Sequence, residues 1–193
     1  MQETLAEPAA RVGRRGWTLA LAALAGLGLS FAQPPWGLWP LVFPAVAALA
    51  FMHGRAGAQQ AGWLGLAAGT AYFGAGLYWI AEAFFVDAAR HGWMAPFAVL
   101  FMAVGMALFW ALPFRIAARH PTRPALQPLW LAALWAAAEF ARANILTGFP
   151  WALSAYAWVE TPLAQVASLI GPHGLGLVTL LAACALALPG RRL

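Results

Sequence analysis

The chain has 193 residues, of which 63% are apolar and 9% charged, with a formal net charge of +5 and a mean hydropathy of +0.73. That balance excludes an ordinary soluble domain and describes an integral membrane protein. It also argues against a nucleic-acid partner despite a pI near 10.7, because the basic residues, all of them Arg, lie between apolar runs rather than on one polar face.

Apolar runs can be measured against the roughly 20 residues a helix needs to cross the hydrocarbon core. Residues 1–16, with Arg11, Arg14 and Arg15, form a polar tail. A first run covers 17–32, and after "QPPWG" a second covers 36–52 with Pro40 and Pro44, so the two predict a helical hairpin. The third covers 61–81, where Gly65 and Gly69 make a small-residue face that permits close helix packing. The fourth, fifth and sixth cover 93–114, 125–140 and 164–188. The predicted fold is an all-α bundle of about six transmembrane helices over residues 17–189, ending in a short polar stretch at 190–193. Trp17, Trp36, Trp39, Trp79, Trp93, Trp130 and Trp158 stand near run ends, as expected of rings that favour the headgroup layer. "RVGRR" followed by an apolar run and "SFAQ" also resembles a cleavable signal peptide. The second run begins only four residues later, which favours retention of the first helix.

Orientation follows from arginine, which stays on the cytoplasmic side. Arg11, Arg14, Arg15, Arg55, Arg115, Arg119, Arg123, Arg191 and Arg192 fall on one side, against Arg90 and Arg142 on the other. Six crossings then place both termini in the cytoplasm.

The polar residues each have a bland reading. Glu139 and Arg142, three apart on one helix face, can pair with one another as an ion pair that fixes helix depth, or serve a function. Glu82, one turn after Tyr78, is a solvated cap or a cavity wall. His53, His91, His120 and His173 show no ligand spacing, so neither a metal nor a cofactor is expected. Cys184, the single cysteine, sits in "LLAACALAL" and reads as a small packing residue rather than a nucleophile. No Walker A, GxSxG or HExxH pattern occurs. The stretch "NILTGFPWALSAYAW" is different in kind. Gly148 and Pro150 interrupt any helix, yet it is too apolar for a solvated loop. It is expected to dip into the outer leaflet and to bring Phe149, Trp151, Tyr156 and Trp158 to lipid depth, a surface for a phospholipid or a lipid-modified protein.

The region "AEFARANILTGFPWALSAYAWVETPLAQVASLIGPHGLGLVTLL" resembles the membrane-domain signature of bacterial apolipoprotein N-acyltransferase, with support from "LSFAQPPWGLWPLVFPAVAALA" and "GTAYFGAGLYWI". The resemblance covers most of residues 17–188, and TGFPW is its most specific part. It implies a multi-pass protein of the bacterial inner membrane, with phospholipid as acyl donor and an apolipoprotein as acceptor. It implies transfer of the sn-1 acyl chain onto the amine of an N-terminal diacylglyceryl cysteine. The chemistry would belong to a nitrilase-like domain with a Glu, Lys and Cys triad and a thioester intermediate. The sequence departs from that pattern after the sixth run, at "PGRRL", and contains no lysine. It therefore reads as the membrane half of such an enzyme, inactive alone: a truncated gene product, a fragment, or one part of a split pair whose nitrilase-like catalytic domain is encoded separately. Glu139, Arg142, Gly148, Phe149, Pro150, Trp151, Tyr156, Tyr78 and Glu82 become candidate substrate or lipid contacts, with no catalytic residue among them. A non-catalytic lipid-binding scaffold, and a small transporter, stay open as other classes.

Overall fold

A computed structural model describes residues 3–120, 122–145 and 148–188, the side chains of residues 3–14 excepted. Helix α1 (Glu3–Phe31) begins well before the first apolar run. Residues 3–16 are rich in Ala, Glu, Leu and Arg, all good helix formers, so the polar tail joins the helix. Gln33, Pro34 and Pro35 then stop it, since two consecutive prolines supply no N–H. The chain reverses through Gly37 at φ 64°. That left-handed φ favours glycine, whose open face meets the Glu160 carboxylate 2.6 Å from where a side chain would start.

A 3-10 turn (Trp39–Leu41) opens into α2 (Val42–His53), with Pro40 and Pro44 close to its start, where a missing N–H costs little. Helix α3 (Ala58–Gly76) is followed, across a bend of 57°, by a 3-10 turn (Tyr78–Ala81) and α4 (Glu82–Phe85). Helix α5 (Ala88–His91) leads through Gly92–Met94 into α6 (Ala95–Arg119). Next come α7 (Gln127–Asn144), two 3-10 turns (Ser154–Trp158 and Pro162–Val166) and α8 (Ala167–Ala185). Gly171, at φ 72° and ψ 168°, breaks the start of α8 just before Pro172. No strand occurs among the described residues.

The long helices alternate in direction. One end of the bundle, the loop end, carries the turn at Gly37, the bend after α3 and the 148–161 segment. The other, the arginine end, carries Arg55, Arg115 and Arg119. Among the described residues two stretches, Ala88–Arg119 and Pro162–Ala185, are long and apolar enough to cross a membrane, or three if α3 and the bent segment after it form one span. Helix α2 has 12 residues, about 18 Å of rise, well short of the roughly 30 Å hydrocarbon core.

The core forms where α3 meets α6. Side chains at Gly65 and Gly69 would strike the Trp110 carbonyl at 2.6 Å and the Ala107 Cα at 2.9 Å, so the small-residue face is used inside the bundle. Trp110 fills the centre, stacked on Tyr72 at 4.8 Å and meeting Trp135 edge-on at 4.5 Å. Trp110 and Trp135 are fully buried, so these two tryptophans are core residues and not headgroup anchors. The same holds for Trp158, placed by its position near a run end at the interface. It is 6% exposed and donates its indole N–H to Thr179 at 2.8 Å.

Candidate functional site

Helix α7 ends because the chain behind it turns back. Ile145 is extended (φ −75°, ψ 144°), and Gly148 takes φ 75° with its α-carbon face against the Ala143 carbonyl, where a side-chain carbon would sit at 2.5 Å. Leu146 and Thr147, the first residue of TGFPW, lie outside the described residues. The Phe149 N–H then donates to the Arg142 carbonyl at 3.0 Å, which folds residues 148–153 under the end of the helix.

The side chain of Arg142 fills the loop so made. Its Nη1 donates to the carbonyls of Phe149 (2.7 Å) and Trp151 (2.6 Å), and its Nη2 to that of Ala152 (3.2 Å). The guanidinium carbon stands 5.1 Å from the centre of the Phe73 ring, and the whole residue is 2% exposed. Tyr72 donates its hydroxyl to the same Ala152 carbonyl at 3.0 Å. Ala152 has φ 54°, a left-handed conformation that a non-glycine residue keeps only when its surroundings hold it. Arg142 and Tyr72 are that hold. The Arg142 Nε–H, also buried, has no partner among the described residues.

Glu139, 4% exposed, is one turn earlier and faces the next part of the same segment. Its carboxylate accepts from the Ser154 hydroxyl at 2.6 Å and from the Ser154 N–H at 3.2 and 3.3 Å. One carboxylate oxygen is 3.5 Å from where a side chain on Gly176 of α8 would begin. The expected direct pairing of Glu139 with Arg142 is therefore not what the structure has. Each uses its charge on backbone and hydroxyl groups of residues 149–154, because a folded-back strand of carbonyls suits a multi-donor cation and a turn N–H with a hydroxyl suits a carboxylate. Together they clamp the segment to α7.

The other candidates separate into two groups. Phe149 is half-buried against the core, Tyr156 is half-buried, and Pro150 and Trp151 are exposed, with Trp151 at 54%. The Trp151 ring lies 5.7 Å from that of Trp79. Tyr78 and Glu82 are exposed on the bent segment and share no hydrogen bond with the clamp among the described residues. Tyr78 instead lines an apolar groove of about 490 Å³ with Thr70, Gly74, Pro96 and Val99. Sequence reasoning missed Tyr72, Phe73, Trp79 and Ser154. Tyr72 and Phe73 were legible only as part of "GTAYFGAGLYWI", and Ser154 gave no signal beyond its place after the aromatic cluster.

Residues 25–185 match the family model described as the apolipoprotein N-acyltransferase N-terminal domain. The chain belongs to the apolipoprotein N-acyltransferase family. It is 42% identical over 176 residues to the apolipoprotein N-acyltransferase of Caulobacter vibrioides, covering 88% of this chain and 33% of that protein. Against the proteins of the same name from Rhodopseudomonas palustris and Bradyrhizobium diazoefficiens it is 39% and 41% identical, each comparison covering 85% of this chain and 32% of the relative. The chain thus spans about a third of the length of these curated relatives. The clamp, from Tyr72 to Gly176, lies entirely inside the region that matches the N-acyltransferase N-terminal domain.

Proposed function

We propose that these 193 residues act as the membrane domain of an apolipoprotein N-acyltransferase, an enzyme that moves a phospholipid acyl chain to the N-terminal diacylglyceryl cysteine of apolipoproteins in the bacterial inner membrane. The observation that carries this reading is the clamp. Buried charges on α7 are spent on holding one short aromatic segment in a strained shape, while Trp151 and Pro150 at its tip stay exposed. A plain helix anchor has no need of such a segment. In this reading Phe149, Pro150, Trp151 and Tyr156 form a floor over which acyl chains travel, Gly148 allows the turn, and Glu139 and Arg142 position the floor. Tyr78 and Glu82 border the neighbouring groove at the same end.

The chemistry falls to a nitrilase-like catalytic domain acting above the loop end. Residues 1–193 alone have no lysine, and Cys184 is fully buried among apolar neighbours, so on this proposal they transfer nothing by themselves. Six crossings put both termini in the cytoplasm and residues 145–161 at the outer face, which cysteine labelling at His120 and Thr147 should report as opposite sides. The functional test grafts the chain onto the catalytic domain of a relative and compares Trp151→Ala with the parent at equal membrane level. Loss of acyl transfer with normal accumulation supports a substrate floor. Transfer at the parental rate leaves the segment with a structural role only.

A further inference from the structure

A second feature lies at the opposite end of the bundle and owes nothing to the clamp. Beyond the close contacts at Gly65 and Gly69, α3 and α6 leave a groove of about 470 Å³ that opens sideways, away from the core. Its walls are Trp63, Leu66, Leu108 and Leu112, and its polar groups are Gln59 and Arg115. Trp63, Leu108 and Leu112 are all more than half exposed, so the groove faces whatever surrounds the bundle.

Arg115 is laid into this groove by its own stem. A side chain on Gly62 would begin 3.4 Å from the Arg115 Cβ and 3.7 Å from its Cδ, ordinary contact distances, so the arginine stem lies along α3 beside Gly62. Its guanidinium makes no hydrogen bond or ion pair among the described residues, and Arg119 follows one turn later on α6. The acidic residues whose side chains are described, Glu82, Asp87, Glu139 and Glu160, all belong to the loop end or its approaches. The site therefore combines a cation unpaired among the described residues, an amide donor and an aliphatic trough with an aromatic edge. That is the complement of a phosphodiester with an attached acyl chain, and the excess positive charge favours a lipid of net negative charge.

We propose that the α3/α6 groove binds an anionic phospholipid from the leaflet at the arginine end, with the phosphate on Arg115 and Gln59 and one acyl chain along Leu66, Leu108 and Leu112. The lipid covers the groove side of the helix pair and fixes the depth of α6.

Native mass spectrometry of the purified chain in detergent, titrated with dioleoylphosphatidylglycerol or dioleoylphosphatidylcholine, tests this. One juxtamembrane cation near anionic lipid corresponds to a preference of about fivefold for phosphatidylglycerol. Arg115→Gln should reduce it to less than about twofold, and Arg115→Lys should keep most of it. Ala111→Phe, which puts a ring into the trough and leaves the cation in place, should weaken both lipids. Arg115 is exposed and Ala111 lines the outward trough, so both variants are expected to elute as the parent does. An Arg115→Gln protein that keeps the full preference overturns the proposal, and so does unchanged binding in Ala111→Phe. If one variant aggregates, the other decides.

Discussion

Removing the Arg142 guanidinium while keeping an apolar stem, as in Arg142→Met, isolates what the clamp contributes. Three carbonyls, those of Phe149, Trp151 and Ala152, lose their donor, and the Glu139 carboxylate loses the nearest positive charge in a site closed to water. Breaking a buried charged network from one side typically costs about 3–5 kcal/mol. For a chain of this size that corresponds to a fall in Tm of about 6–20 °C. Thermal unfolding of the detergent-solubilised chain, followed by loss of monodisperse elution, reads the shift. Limited proteolysis at native temperature reads its location, since residues 148–153 should become cleavable before any helix does. Trp151→Ala is the control. Its ring is half exposed and touches Trp79 alone among the aromatic contacts, so stability should change by less than about 1 kcal/mol. A fall of under 2 °C for Arg142→Met, or equal falls for the two variants, would refute the assignment of Arg142 as the element that holds the segment.

Gly148→Ala forces a side chain into a left-handed position against the Ala143 carbonyl and should cost about 1–3 kcal/mol, measured in the same unfolding assay. Gly65→Val should do more than lower stability: with the Trp110 carbonyl 2.6 Å from its first side-chain carbon, it must push α3 off α6, which a distance measurement between spin labels on the two helices would detect as an increase. Cys184, fully buried, should resist maleimide in the folded chain and react only after unfolding, and Cys184→Ala should supply a silent background for the topology labelling. Ser154→Ala removes the 2.6 Å hydroxyl donor from a buried carboxylate and should destabilise by about 1–3 kcal/mol, while Ser154→Thr should retain most of the parental Tm.

Much of this was readable from residue order. Long apolar runs became helices because nothing in them offers the backbone an alternative, and the breaks at Pro34 and Pro35 and at Gly148 fell where the chain does turn. The residues of the site were also visible, since a carboxylate and a guanidinium inside an apolar run stand out. What sequence could not supply was their partners. Spacing of three on a helix suggests that Glu139 and Arg142 face each other, but the competing acceptors and donors lie seven to fifteen residues further on, and only the fold-back of 148–154 brings them within reach. At the N-terminus polarity and conformation part ways. Polarity marked residues 3–16 as a tail, whereas their helix propensity governs their conformation. Tryptophan shows the same limit. Position near a run end predicts an interfacial ring, yet Trp158 turns inward to Thr179 because a buried hydroxyl is available to it.

The clamp also has an order in time. The groups that neutralise α7 are encoded after it, Phe149 to Ala152 for Arg142 and Ser154 for Glu139. A ribosome adds about 5–20 residues per second, so α7 emerges roughly half a second to three seconds before its charges can be answered. During that interval neither charge can settle in hydrocarbon, and the helix must wait in the insertion channel or at the water interface. Gly176 of α8 also packs against the Glu139 carboxylate, so the burial of Glu139 is complete only when α8 has arrived. The two helices are then committed to the bilayer as a pair, and a chain arrested between residues 145 and 176 should remain in reach of the quality-control proteases that remove unassembled membrane proteins.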